Sequence, residues 1–338
     1  MKIYVLFLFF LVVFSSCSEQ EIEITPVLNK LSNSSIRGLY SVDNGSLWAS
    51  GANGIVFRYG KNNQWIKYQD TSWSDLDFRD VHSFSEEEAI IMSSGDGCEI
   101  YKTNDAGKTW RLVYENYQEG IFFDGMDFWD DKNGLAFSDP INDKLYMIET
   151  KDGGESWEKI KSLNLPQTLL GEAGFAASGT GIVCVGDSTV YIGTGGGEVS
   201  RVFISHDRGK NWKVVNTPMR SGKASGIYSM LFLDDLNGVA VGGNYLDSVS
   251  TQGNCVITSD GGLTWKLPNT MPSGYMSCVA YNKDGVLLCT GRNGIDVSYD
   301  KGNNWKHITD DAYYSCVLYK KTGWLTGRAG KMAKIVIK

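Results

Sequence analysis

The chain has 338 residues, of which 21% are charged, and a formal net charge of −7. That balance excludes a nucleic-acid-binding face, which needs clustered Lys and Arg. Thirty-nine glycines against six prolines, with ten Trp and seventeen Tyr, fit aromatic strands joined by Gly-rich turns, and hence an all-β protein.

Residues 1–2 give a positive start, residues 3–14 are an unbroken apolar run, and Ser15, Ser16 and Cys17 follow. This is the order of an export signal. The apolar run is too short to span a bilayer comfortably. The ending resembles the bacterial lipoprotein signal, which implies cleavage before Cys17 and lipidation of its thiol. Phe14 stands where that signal prefers Leu. Residues 18–21 resemble the acidic tether of surface lipoproteins. The expected organisation is a signal peptide at 1–16, a lipidated tether at 17–21 and a mature domain at 22–338. The implied location is the cell envelope, at the outer membrane, facing either the periplasm or the cell surface, with the lipid anchor as the membrane contact.

Without Cys17, six cysteines remain: Cys98, Cys184, Cys255, Cys278, Cys289 and Cys316. An even number in an oxidising compartment invites disulfides. None is in a CxxC pair, however, and most lie in apolar strand patterns. Buried free thiols acting as small hydrophobes are the expected state.

Five segments share the frame Ser/Thr-x-Asp-x-Gly-x-x-Trp, at residues 103–110, 150–157, 205–212, 258–265 and 298–305. A degenerate sixth ends at Trp65, with Gly60 and Asn62 at the Asp and Gly positions. Successive Trp residues are 45, 47, 55, 53 and 40 apart. Such a period signals a repeat architecture. Each frame predicts a hairpin turn. Asp accepts hydrogen bonds from its own turn, Gly takes a positive φ, and Trp starts the next strand with a large ring to bury.

Each period holds four short strand-like runs, which is the pattern of a propeller blade. A seventh unit starts at Tyr314 and copies the sixth, with Ser315-Cys316-Val317 matching Ser277-Cys278-Val279. The chain ends at Lys338, before a fourth strand can form. The alternating stretch at residues 22–28 can supply that strand. The expected fold is therefore all-β: a single seven-bladed β-propeller of four-stranded antiparallel blades, closed by an N-terminal strand.

The frame resembles the Asp-box, or bacterial neuraminidase repeat, over nearly the whole mature chain. The order of motifs resembles the propeller family of photosystem II assembly and stability factors and their bacterial relatives. That resemblance implies a chaperone-like, protein-binding role. Photosynthesis itself does not suit an acidic lipoprotein.

With strands A to D counted outward from the axis, the Asp-boxes are C–D turns, away from the face where such propellers bind ligands. Asp105, Asp152, Asp207, Asp260 and Asp300 are accordingly read as structural. On the other face, aligned inner strands bring Arg37, Arg79, Asp124, Glu172, Tyr228, Ser277 and Ser315 toward the channel mouth. The B–C loops add Asp96, Asp139, Arg201, Tyr245, Asp247, Arg292 and Arg328. Arg79, Arg292, Arg328, Arg201 and Tyr245 are the candidate ligand-binding residues. Guanidinium groups grip carboxylates and sulfates through paired hydrogen bonds. Arg79, Arg292 and Arg328 are expected on one rim, opposite Asp124, Asp139 and Glu172.

Those three acids are also the candidate catalytic carboxylates, because glycoside hydrolysis needs two at a set separation. The three arginines could imitate a sialidase triad, but the early Arg-Ile-Pro signature of that family is absent. A polysaccharide lyase would draw its base from His82 or Tyr245. The sequence has no Ser-His-Asp spacing and no clustered metal ligands, so no metal or cofactor is expected. The Gly193–Gly197 run is a hairpin turn, since no helix follows it. The expected function is an envelope-anchored propeller that binds a protein or glycan on its top face. The alternative is a glycan-active hydrolase or lyase using top-face carboxylates and arginines.

Overall fold

A computed structural model describes residues 20–27, 32–42, 45–60 and 62–338. Cys17, the signal segment and most of the expected tether lie outside the described residues. Seven antiparallel sheets stand in a ring. Blades 1 to 6 follow chain order, at residues 36–69, 77–116, 123–159, 182–216, 225–266 and 276–309. In blade 5 the outer strand is reduced to a bridge between Ile257 and Lys266. Sheet faces pack against one another through a series of apolar clusters, each drawing on two neighbouring blades.

Blade 7 is built from both ends of the chain. Strands Ser315–Tyr319, Thr322–Thr326 and Met332–Ile337 give its inner three. The fourth is Ile22–Pro26, paired antiparallel with Met332–Ile337 from Ile22↔Ile337 to Pro26↔Ala333. Ile22 and Ile24 pack into the cluster shared by blades 6 and 7. Pro26 is tolerated because this strand is the outer edge, where a missing N–H breaks no ladder. The ring is thus closed from the N-terminal side, as the missing fourth strand predicts.

The five repeated turns share one hydrogen-bond scheme. In the blade 5 turn, Asp260 Oδ1 accepts from the Thr258 hydroxyl at 2.8 Å and the Thr264 amide at 2.9 Å. Its Oδ2 accepts from the Thr264 hydroxyl at 2.6 Å. The residue before Trp closes the carboxylate in every copy: Thr109, Ser156, Asn211, Thr264 and Asn304. The sequence frame left that position open, although all five residues carry a short polar side chain. Hydrogen bonding holds Asp105 down at about 2 and lowers Asp260 against the opposing effect of its burial. The turn glycine lets each turn seat on the preceding blade. A Cβ at Gly154 would come 2.2 Å from Ile90 of blade 2.

All six described cysteines are free thiols, and every one but half-buried Cys184 is buried. Desolvation raises the thiols of Cys98, Cys184, Cys289 and Cys316 well above their ordinary range, which makes them poor nucleophiles.

Two outcomes are expected. Deleting residues 1–28 exposes the edge of Met332–Ile337 and should lower the melting temperature by at least about 5 °C; an unchanged melting curve would refute the closure. Asp260→Ala should cost about 1–2 kcal/mol in denaturant unfolding while leaving ligand binding intact. The turn aspartates stabilise the fold above the ordinary carboxylate range, so this difference should shrink as pH falls toward 2.

Candidate functional site

The inner strands of five blades carry the same irregularity. Pairing between strands A and B skips one residue near the top of the blade, at Arg37, Arg79, Asp124, Tyr228 and Ser277. A bulge of this kind frees one side chain from the sheet alternation and re-aims it. Four of the five line a cavity of about 270 Å³ at the channel mouth: Arg37, Arg79, Asp124 and Tyr228. Ser277 instead donates to the Tyr314 carbonyl at 2.7 Å.

The floor of this cavity is a strap at residues 173–180. The strand alignment puts Glu172 on the inner strand of blade 4, but that strand is Ile182–Val185. The strap leaves its own blade and crosses the channel. Gly174 donates to Asp139 Oδ1 of blade 3 at 2.8 Å. The carbonyls of Ala176 and Ala177 receive Arg79 of blade 2 and Arg37 of blade 1, each at 3.4 Å. Phe175 stacks on Tyr228 of blade 5, with centroids 4.1 Å apart. Ser178 donates to the Ser277 carbonyl of blade 6 at 2.8 Å. Small residues make the crossing possible. A Cβ at Gly174 would lie 2.3 Å from Asp124 Oδ2, and one at Gly179 would lie 2.1 Å from Asp80 Oδ1. Below the strap, inner-strand residues of all seven blades enclose a second cavity of about 320 Å³.

The upper cavity is electropositive and ringed by aromatics. Arg37 lies over the Tyr314 ring at 4.2 Å. Burial, and then the neighbouring charge of Arg79, push its guanidinium below the usual arginine range. Arg79 Nε donates to Asp77 at 2.8 Å. Arg292 Nη1 donates to the Tyr245 carbonyl at 2.9 Å and lies over that ring at 5.5 Å. Neither Arg37 nor Arg292 forms an ion pair among the described residues.

Of the expected ligand residues, Arg79, Arg292 and Tyr245 line this cavity. Arg328 stands apart, exposed in the short turn Arg328–Gly330. Arg201 is buried and faces Glu172: Nε donates to Oε1 at 2.9 Å, and Nη2 contacts Oε2. Thr194 also donates to Glu172 at 2.5 Å. Glu172 therefore lies beside the strap and not on the rim opposite the arginines. Of the three acids, only Asp124 lines the cavity, directly alongside Arg79. Its neighbour Asp139 holds the strap through Gly174. His82 lies beneath the strap, 3.8 Å from Asp127 and packed on Phe128. Desolvation holds it down at about 3. Arg37 completes the arginine group; its bulge is invisible in sequence, although the strand alignment placed it at the mouth.

With this geometry in place, comparison with known proteins gives fold neighbours. No protein-family model matches the chain, and no curated protein sequence does. Among solved structures, YCF48, a photosystem II assembly factor, bound to D1 peptide superposes with a TM-score of 0.64 at 15% identity. That match covers 94% of this chain and 97% of that one. YCF48 from Cyanidioschyzon merolae gives 0.62 at 16%, covering 93% and 98%. A catalytically inactive virginiamycin B lyase from Staphylococcus aureus, with quinupristin, gives 0.67 at 11%, covering 94% and 100%. At these identities the likeness establishes the seven-bladed propeller and nothing finer.

The Arg201–Glu172 pair makes a separate prediction. Glu172→Gln strands a buried guanidinium, so it should cost about 3 kcal/mol of stability. A folded Glu172→Gln protein of unchanged stability would show that the pair does not hold this corner together.

Proposed function

We propose that this chain is an envelope-anchored binding protein whose propeller mouth receives an acidic segment of a partner protein. The observation that carries this reading is the side-by-side pair Arg37 and Arg79. Of two guanidiniums in a half-enclosed cavity only Arg79 is ion-paired, to Asp77, and Arg292 adds a third positive charge. Three partly desolvated cations with one ion pair among them favour an anion, and guanidinium forks fit carboxylates.

The rim suits a peptide. Leu246 and Val249 are 73% and 74% exposed in the B–C loop of blade 5, next to Tyr245, and Leu170 is 99% exposed on the approach to the strap. Exposed apolar groups beside a charged cavity suit a segment that is acidic at one end and apolar along its length. The YCF48 structure with D1 peptide is a precedent for peptide binding on this fold. Anchoring through a lipid on Cys17 is part of the proposal and rests on the signal-like start of the chain.

The carboxyls at the mouth do not favour the glycan-enzyme alternative. Of the three expected acids only Asp124 lines the cavity, whereas glycosidases set two carboxyls on either side of a sugar bond. His82 is out of reach of the arginines.

The test is fluorescence titration with a labelled peptide carrying a run of glutamates beside a run of leucines, against a glutamine control and polygalacturonate. The acidic peptide should bind. Arg79→Ala and Arg292→Ala should each weaken it about tenfold or more, as expected for one lost charge-assisted contact, with little change in melting. Binding of polygalacturonate alone, or equal binding of the glutamine control, would overturn the reading.

A further inference from the structure

A groove of about 600 Å³ runs down the flank of the ring between blades 1 and 2. One wall is the outer strand of blade 1, Trp65–Gln69, with the connection that follows it. The other is Tyr101 and the repeated turn of blade 2. Four lining residues carry rings: Tyr68, Trp73, Tyr101 and Trp110. Trp73 packs 5.0 Å from Tyr101 and 6.0 Å from Trp110. The buried Trp48 ring holds Tyr68 at 6.3 Å and Trp110 at 5.7 Å. The rings are thus fixed against one another, and three of the four keep part of their surface open, Trp73 being the buried one.

The groove exists because this turn is left uncovered. Trp157, Trp212, Trp265 and Trp305 of the other complete turns are 3–9% exposed, whereas Trp110 is half-buried. In blades 4 and 6 the connection from the preceding blade is drawn over the turn. Asn164 accepts from the Trp212 amide and Thr270 from the Trp305 amide, each at 2.7 Å. In blade 3 an ion pair closes it, Glu155 with Arg111 of blade 2. Where blade 3 has Glu155 after the turn glycine, blade 2 has Lys108. Among the described residues, 65–76 make no hydrogen bond to the blade 2 turn.

The polar lining selects the ligand. Lys67 and Lys108 are exposed, and neither has an ion pair or a side-chain hydrogen bond among the described residues. The one acid in the lining, Asp70, is turned to its own backbone and accepts from the Ser72 amide and hydroxyl, both at 2.8 Å. Two free cations favour an anion. Ring faces carry the negative side of an aromatic quadrupole, so they attract the C–H face of a sugar. Gln69 and Thr109 at the rim add an amide and a hydroxyl for sugar hydroxyls. The volume falls in the range of about 300–1,000 Å³ usual for ligand sites.

We infer that this groove is a second binding site, separate from the mouth, for an acidic glycan: its rings lie on Tyr68 and Trp110, and its uronate carboxylates reach Lys67 and Lys108. A single acid in the lining leaves no carboxyl pair for glycoside cleavage, so the site binds the glycan without cutting it.

The experiment is calorimetric titration at low and high salt with hexagalacturonate, hexamannuronate and fully methyl-esterified hexagalacturonate, whose rings are unchanged and whose charges are gone. It uses wild type, Tyr68→Ala, the double variant Lys67→Gln/Lys108→Gln, and Arg79→Ala. Wild type should bind at least one acidic hexasaccharide, and more weakly as salt rises. The ester, and the double variant, should each lower affinity about tenfold. Tyr68→Ala should lower it by about the same factor, while Arg79→Ala should bind as wild type does. Exposed lysines contribute little to stability, so the double variant should melt like wild type. If Tyr68→Ala does not fold, the double variant and the ester carry the test. The inference is overturned if neither acidic hexasaccharide binds, or if the double variant binds them as tightly as wild type. Loss of glycan binding in Arg79→Ala would place the glycan at the mouth and overturn it too. So would loss of the glutamate–leucine peptide in the double variant but not in Arg79→Ala, which would make the groove a peptide site.

Discussion

Seven sheets around an axis leave a hole, and the structure is organised by how that hole is dealt with. Larger β architectures enclose cavities or channels that their strands alone do not fill. Here one peptide segment crosses the gap and is held from at least five blades. Its carbonyls take Arg37 and Arg79, its Gly174 amide takes Asp139, and its Ser178 takes the Ser277 carbonyl. The strap makes the upper end of the channel a cup with a floor. The cup's walls include the bulged residues that four of the inner strands turn inward.

The same crossing explains why acids are buried on the axis. Asp80 accepts from the Met126 amide at 2.7 Å, tying blade 2 to blade 3, and Asp127 accepts from Cys184 at 2.7 Å, tying blade 3 to blade 4. Burial raises Asp80 to about 7 and Asp127 to about 6 even though backbone donors oppose the shift. Such groups bind protons more tightly folded than unfolded, so they favour the fold at mildly acid pH and cost stability as pH rises toward 7. The turn aspartates work the other way, because theirs is the ionised form that the fold prefers.

Much of this was legible in the residues. The five turns carry short-range chemistry, with every partner of the Asp inside one eight-residue window, so the frame and the blade count could be read directly. Ile22 and Ile24 announced themselves as a half-buried strand by alternation alone. The cup was only partly legible. Arg79, Arg292 and Tyr245 sit at positions that alignment of blades can find. The bulges are properties of pairing between two strands and leave no mark on either one. The strap was hidden because its apolar, Gly-punctuated sequence also suits an inner strand. One signal was present: the 55-residue gap between Trp157 and Trp212 is the longest in the repeat. Arg201 and Glu172 were visible as charges, but their burial against each other was not.

The strand that closes the ring also fixes how the molecule can be held. Ile22 pairs with Ile337, at the end of blade 7 away from the cup, and the Gln20 carbonyl accepts from Tyr299 in the last of the repeated turns. The chain therefore enters the propeller from underneath. Under the proposed anchoring through Cys17, a tether on that end would draw on the underside and present the cup outward, like a dish on a mast.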